Sequence, residues 1–220
     1  MEKQNILKVN ALESPPEGGG GASFLETINI QNGVVQNLRG HVARMCETAR
    51  HFGFTAPNIS KLETFVPKAL KKCLKVKCRI IYHTKINEIT FEEYTPKTIT
   101  SLKLVEGSPD YSFKFTDRTT LNHLLSQKGD CDEVLIVRNG CITDTSFSNV
   151  VFRRKNRFFT PDTYILNGTQ RQLLLHKGAI SERRIMEKDL DEFDEMLLIN
   201  AMLSIGSEVS QQEAKIVICR

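Results

Sequence analysis

Lys114 lies between two phenylalanines, in the run Phe113-Lys114-Phe115. An ammonium in apolar surroundings loses hydration, which disfavours its charged form and lowers its pKa. A lysine held in this way is a candidate for imine chemistry with a carbonyl. The alternative is an ordinary lysine whose stem lies along the rings while its charge reaches water. A second run, Asp144-Thr145-Ser146-Phe147-Ser148-Asn149, gathers polar groups between a hairpin signal and an apolar strand. A third, Asn167-Gly168-Thr169-Gln170-Arg171, opens an apolar helix. A glycine at a helix start leaves backbone N–H groups exposed, and these can hold an anion. Taken singly, each run reads as structural before it reads as catalytic.

Order and spacing join the three. Asp132 opens a stretch that reads Asp-Glu-Val-Leu-Ile-Val, then Gly-x-Ile-Thr-Asp-Thr-Ser-x-Ser-Asn-Val-Val-Phe, then Phe-Thr-Pro and Ile-Leu-Asn-Gly-x-x-Arg up to Arg171. This succession resembles the aminotransferase class IV family, the pyridoxal-phosphate enzymes of fold type IV. That family includes branched-chain and D-amino acid aminotransferases and aminodeoxychorismate lyase. Upstream, Phe24-Leu25-Glu26-Thr27-Ile28 is similar to its Phe-Glu-Thr strand, and His41-Val42-Ala43-Arg44 to its His-x-x-Arg. Downstream, Leu198-Ile199-Asn200-Ala201-Met202 is similar to the lyase's Cys-Asn-Ala-Leu segment. The resemblance covers about residues 24–205.

The resemblance implies a role for each matching position. Lys114 would bond the aldehyde of pyridoxal 5'-phosphate and then carry the substrate's α-proton as general base and acid. Arg44 would hold the phosphate with its planar fork. The backbone amides of Thr169 and Gln170 would join it, as would Asn200 and Ala201. Leu166 would pack against the cofactor ring. Asp144 stands where the family usually carries glutamate, facing the pyridine nitrogen. An acid there keeps the nitrogen protonated and the ring an electron sink. Aspartate is one methylene shorter, so the backbone or ring must shift, or a water must bridge. The phosphate loop departs too: Gly168-Thr169-Gln170-Arg171 replaces Gly-Ile-Thr-Arg, so only the backbone amides carry over there.

Lys114-Phe115-Thr116-Asp117-Arg118 resembles the lyase pattern Lys-x-x-Asn-Arg, whereas branched-chain enzymes place a tyrosine a few residues on. No tyrosine lies between Lys114 and Arg138. The implied reaction is therefore lyase-like, eliminating pyruvate from 4-amino-4-deoxychorismate to give 4-aminobenzoate, a folate precursor. Arg118 would support a substrate carboxylate or the cofactor oxygen, or else form a salt bridge at a helix start. The runner-up is an aminotransferase on a small branched-chain or D-amino acid, and a third reading is a non-catalytic relative that kept the fold. Either enzyme takes a small amine or amino-acid-like substrate. The family's habit of placing the site at a domain interface closed by a partner subunit implies a homodimer.

The elements that must position these residues are readable from periodicity. Phe24–Ile30 suits a strand, and Asn32-Gly33 a hairpin turn into Val34–Leu38. Val42, Met45, Ala49 and Phe52 recur at helical spacing over Gly40–Phe52. Ser60-x-x-Glu63 has the form of a capping box and predicts a helix to about Leu74. Strands are predicted near 76–83 and 89–94, a helix near 116–126, and strands at 133–137, 142, 149–154 and 157–159. Asn139-Gly140 predicts a second hairpin turn. A helix near 169–178 and strands near 195–200 and 214–219 complete an α+β chain. The resemblance makes it a two-domain, D-amino acid aminotransferase-like fold: a small N-terminal α/β sandwich and a larger, β-rich C-terminal domain. Gly107-Ser108-Pro109-Asp110 is the best linker, which gives a flexible leading segment over 1–22, a small N-terminal domain over 23–107 and a C-terminal domain over 108–220 expected to carry the cofactor lysine.

Composition limits the alternatives. The chain has 220 residues, 40% hydrophobic and 25% charged, an ordinary globular balance that needs no disulfide to hold a core. Nowhere do about 18 apolar residues run together, and Met1–Ala11 is too polar for a signal peptide, so a cytoplasmic protein with no membrane partner is expected. The six cysteines form no Cys-x-x-Cys pair and read as reduced thiols. Cys73, Cys78 and His83 lack ligand spacing and a fourth partner, so no metal is expected. A net charge of +4 is far from that of a nucleic-acid binder. The basic run Lys68, Lys71, Lys72, Lys75, Lys77 and Arg79 has no interleaved aromatics and reads as a solvated face. Relatives carry an opening strand and an Asp-x-x-x-x-x-Gly-Asp-Gly segment before the Phe-Glu-Thr strand. Here Pro15-Pro16-Glu17-Gly18-Gly19-Gly20-Gly21 stands in that space, so the substrate-facing side is expected to be abbreviated.

Overall fold

The structure is a computed structural model, and it describes residues 7–9, 22–206 and 216–219. The chain forms two compact units. One runs up to Thr95 and takes in Phe113–Asp117; the other comprises Pro96–Ser112 and the chain from Arg118 onward. Both mix helix and sheet, and the second is dominated by strands. Among the described residues, no helix is long and apolar enough to cross a membrane.

The first unit is built on a five-stranded sheet of β1 (Leu7–Val9), β2 (Phe24–Gln31), β3 (Val34–Val35), β4 (Val76–Tyr82) and β5 (Ile86–Glu93). The strand order is β1-β5-β4-β2-β3, and every neighbouring pair is antiparallel. Asn32 and Gly33 have φ of 49° and 80°, the left-handed pair that a two-residue hairpin turn requires. Helix α1 (Leu38–Phe52) buries His41, Arg44, Met45, Thr48 and Ala49, a stripe at spacings of three and four. Ile28, Ile30, Val76, Cys78, Ile80 and Phe91 are fully enclosed in the same core as Met45. Burial pushes the Cys78 thiol up to about 12, so it stays an inert apolar filler.

Two expectations fail in this unit. Leu7–Val9, inside the stretch whose composition suggested a flexible segment, is a strand paired with Ile89–Phe91. The Pro15–Gly21 run lies outside the described residues. The helix expected over 60–74 is replaced by two short 3-10 turns, Leu62–Phe65 and Lys68–Leu70. Pro67 explains the break: it forces Val66 into an extended conformation, with ψ 120°. The Glu63 carboxylate does not close a capping box either. It accepts the Val35 amide at 3.1 Å and so ties this segment to β3.

The second unit carries β6 (Ser101–Glu106), β7 (Glu133–Arg138), β8 (Cys141–Thr145), β9 (Asn149–Arg154), β10 (Arg157–Pro161), β11 (Ser181–Arg183), β12 (Glu195–Ile199) and β13 (Val217–Cys219). Helices α2 (Thr119–Leu125) and α3 (Thr169–His176) accompany them. The order is β11-β10-β9-β8-β7-β6-β13, with β12 paired to β9. Asn139 and Gly140, with φ of 53° and 71°, make the β7–β8 hairpin turn that their types predicted. The hydrophobic core holds Leu102, Leu135, Ile142, Val150, Phe152 and Ile185, all nearly or wholly enclosed. Antiparallel β8 and β9 meet at a single pair, Asp144 opposite Asn149. On its other edge Asn149 pairs with Ile199 of β12.

Candidate active site

In the first unit, Lys114 is held as an added strand segment beside β2. The Leu25 amide donates to the Lys114 carbonyl at 2.8 Å, the Thr116 amide donates to Ser23 at 2.8 Å, and Phe24 bridges Phe115. The flanking rings are packed: Phe115 lies 5.4 Å from Phe24, and Phe113 lies 5.0 Å from Phe52 and 4.4 Å from His51. A half-buried Lys114 is thereby fixed at its backbone and on both sides.

Glu26 belongs to the face of β2 that also carries Ile28 and Ile30, and it is fully buried. Arg44 and His41, three residues apart on α1, both reach it. Arg44 donates from Nε to Oε1 at 2.8 Å and from Nη2 to Oε2 at 2.5 Å, the two-point geometry of a charge-assisted fork. Nδ1 of His41 meets Oε2 at 2.5 Å and is the donor, because a carboxylate only accepts. Burial alone would raise the Glu26 carboxyl, but the Arg44 guanidinium and the His41 hydrogen bond outweigh it and take it down to about 2. Burial keeps His41 below its ordinary value despite the neighbouring carboxylate, and the charges of Arg44 and Lys114 act in the same direction. The cluster is therefore an ionised Glu26, a charged Arg44 and a neutral His41, balanced overall. Arg44 gives Nε and Nη2 to Glu26.

In the second unit, Asp144 is fully buried at the single β8–β9 pair. Oδ2 accepts the amides of Ile165 and Leu166 at 2.8 and 3.0 Å, and Oδ1 accepts Nδ2 of Asn149 at 2.7 Å. Burial pushes this carboxyl up to about 6; the three donors and the charge of Arg171 oppose that without cancelling it. The same Asn149 amide also donates to the Leu166 carbonyl at 2.8 Å. Arg171 anchors the segment before α3 by donating to Asn167 at 3.0 Å, to the Pro161 carbonyl at 3.1 Å and to Glu182 at 2.5 Å. Its guanidinium also lies 4.4 Å from the centre of the Tyr164 ring.

Helix α3 starts at Thr169 after Gly168. The first-turn amides of a helix and its dipole favour an anion. Thr169 and Gln170 are both buried there, and Gln170 donates to the Ser204 hydroxyl at 2.7 Å. Asn200 spends its side-chain carbonyl on the amides of Met202 and Leu203, at 2.8 and 3.1 Å, in a turn that presents Ala201 at its corner. Arg118 donates to the Ser146 carbonyl at 2.7 Å and lies 5.8 Å from the Tyr111 ring, so part of its fork steadies the 145–148 turn.

The structure thus groups Lys114 with Arg44 in the first unit, and Asp144, Leu166, Thr169, Gln170, Asn200, Ala201 and Arg118 in the second. Glu26, His41 and Asn149 lie within the motif runs of the sequence, which give them no role of their own. The available signal for Glu26 was an acid in step with Ile28 and Ile30, because an acid on a core face needs a cation nearby.

Residues 23–207 match the sequence model of the family described as amino-transferase class IV. An uncharacterised Haemophilus influenzae protein is 39% identical over 183 residues, spanning 81% of this chain and 97% of its own. A Schizosaccharomyces pombe protein provisionally named aminodeoxychorismate lyase is 25% identical over 204 residues, 84% of this chain and 87% of its own. The crystal structure of a Haemophilus somnus 129PT protein provisionally identified as a 4-amino-4-deoxychorismate lyase is similar with a TM-score of 0.77. It is 36% identical and covers 84% of this chain and 98% of that one. With its motifs, its two mixed units and this match, the chain belongs to the aminotransferase class IV family, whose members depend on pyridoxal phosphate.

Proposed function

We propose that the protein is a pyridoxal-phosphate enzyme that eliminates pyruvate from 4-amino-4-deoxychorismate. The carrying observation is the state of Asp144. A carboxylate can accept about four hydrogen bonds, and the chain supplies three, two on Oδ2 and one on Oδ1. One acceptor position on Oδ1 remains, which suits a single N–H donor such as a protonated ring nitrogen. The start of α3, with its helix dipole, likewise suits a phosphate. Both observations support the cofactor.

Bound pyridoxal phosphate supplies an electron sink for negative charge developing at the substrate carbon. Lys114 would hold the cofactor covalently and move the substrate's proton through Nζ. Arg44, with Thr169, Gln170, Asn200 and Ala201, would hold the phosphate. Leu166 would pack on the ring, and Asp144 would accept its N–H through Oδ1. Arg118 would meet a substrate carboxylate with the part of its fork not given to Ser146. The lyase reading is supported by the Lys114–Arg118 pattern and by the similarity to proteins provisionally identified as such lyases.

Purified protein given aminodeoxychorismate is expected to release pyruvate with no 2-oxo acid acceptor present. Amino transfer to an added 2-oxo acid without pyruvate release would instead make it an aminotransferase. Borohydride is expected to fix the cofactor on Lys114 and not on a Lys114→Ala variant. A protein that takes up no pyridoxal phosphate would be a non-catalytic relative. The homodimer and cytoplasmic location implied by the family belong to the same proposal, and sedimentation of the purified protein tests the first.

A further inference from the structure

Asp144 and the start of α3 lie more than twenty residues apart in sequence, yet one side chain connects them. Asn149 stands opposite Asp144 at the only β8–β9 pair. Its Nδ2 gives one proton to Asp144 Oδ1 at 2.7 Å and the other to the Leu166 carbonyl at 2.8 Å. Both partners are acceptors, which fixes the orientation of the amide. Oδ1 of Asn149 then faces Gly168, where a Cβ would sit 2.2 Å from it. Gly168 has φ −63° and ψ 144°, a conformation open to any residue. The glycine is thus required by the space Asn149 occupies and not by its backbone. Meanwhile Asp144 Oδ2 holds the amides of Ile165 and Leu166 from the other side.

We propose that Asn149 is a positioning residue that clasps Asp144 to the Leu166–Gly168 turn, so that the acid and the start of α3 keep one fixed spacing. The functional weight of the clasp rests on the proposal that Asp144 serves the cofactor ring and α3 its phosphate. Its geometry does not rest on that.

The test uses Asn149→Leu, which keeps the size and removes the donor. Carbon-13 titration of the Asp144 carboxyl in the cofactor-free protein is expected to show proton affinity raised by about tenfold, the worth of a hydrogen bond to a buried charge. An unchanged midpoint overturns the clasp. A second measurement guards against misfolding of that variant. Gly168→Ala is expected to lower the melting temperature clearly in the wild-type background and much less in an Asn149→Ala background. An equal loss in both also overturns the proposal. Equilibrium dialysis with pyridoxal 5'-phosphate is expected to give about tenfold weaker binding to Asn149→Leu. Equal binding, with the titration shifted, would overturn the positioning role. If the wild-type chain takes up no pyridoxal 5'-phosphate, the cofactor reading fails, and the titration and the paired substitutions still judge the clasp.

Discussion

Two carboxyl groups, one in each unit, are equally buried and behave in opposite ways. Glu26 is driven down to about 2 and Asp144 up to about 6. Each accepts three hydrogen bonds from the chain. Number of donors therefore does not separate them. The difference is that two of Glu26's donors belong to a full positive charge, whereas Asp144 faces amide dipoles and a more distant Arg171. In a dry interior a guanidinium in contact outweighs the desolvation of a carboxylate, and three neutral amides do not. Glu26 is thus locked as an anion. Asp144 is poised, so that a proton or a positive N–H at its fourth acceptor position would be welcome.

Removing Arg44 should break this contrast most severely. Arg44→Met leaves the Glu26 charge buried without its counter-charge, a change worth about 3–5 kcal/mol of stability. Urea denaturation of the cofactor-free protein is expected to show that loss, and the Glu26 carboxyl is expected to titrate in the upper carboxylate range as Asp144 does. A Glu26 that still ionises at low pH in this variant would mean that its His41 hydrogen bond suffices.

The pH profile should be the next largest effect. A carboxyl held below its unfolded value stabilises the fold above that value and loses the contribution as pH falls. Glu26 is therefore expected to add about 3 kcal/mol at neutral pH, lost as pH falls from its unfolded 4.5 towards 2. Asp144 runs the other way. Its contribution is present below 3.8 and lost as pH rises through about 6. Glu26→Gln should flatten the acid limb of the urea midpoint, and Asp144→Asn should flatten the decline between 3.8 and 6. Variants that retain the wild-type slopes would disprove both assignments.

The smallest effect sharpens the argument from charge. His41 is neutral, so His41→Gln should cost at most about 1.5–3 kcal/mol, the range for one hydrogen bond to a charged group. It should raise the Glu26 midpoint far less than Arg44→Met does. An equal rise in the two variants would show that hydrogen bonding, not the guanidinium charge, sets Glu26.

Local chemistry was legible in the residues. Asn32-Gly33 and Asn139-Gly140 both announce hairpin turns, and both take the left-handed conformations that asparagine and glycine tolerate best. The helix over Leu38–Phe52 was legible because its apolar residues keep one spacing for several turns. Between 60 and 74 the local signal misled. The capping-box acid is drawn off to Val35, and Pro67 stops the helix from within. There a long-range hydrogen bond and a proline overrode a motif.

Residue types and their order carry the family, the candidate residues and the turns that redirect the strands. Turn chemistry, periodicity and motif order are carried by residues near one another in the chain. What those residues touch is set by the folding of distant segments against one another. Glu26 and Arg44 are eighteen positions apart, and Asp144 and the amides of Ile165 and Leu166 more than twenty. Whether a buried acid meets a guanidinium or a pair of amides depends on which strands and turns fold against it. That meeting fixed Glu26 as an anion and left Asp144 with one acceptor position, while Asn149 links Asp144 to the turn before α3.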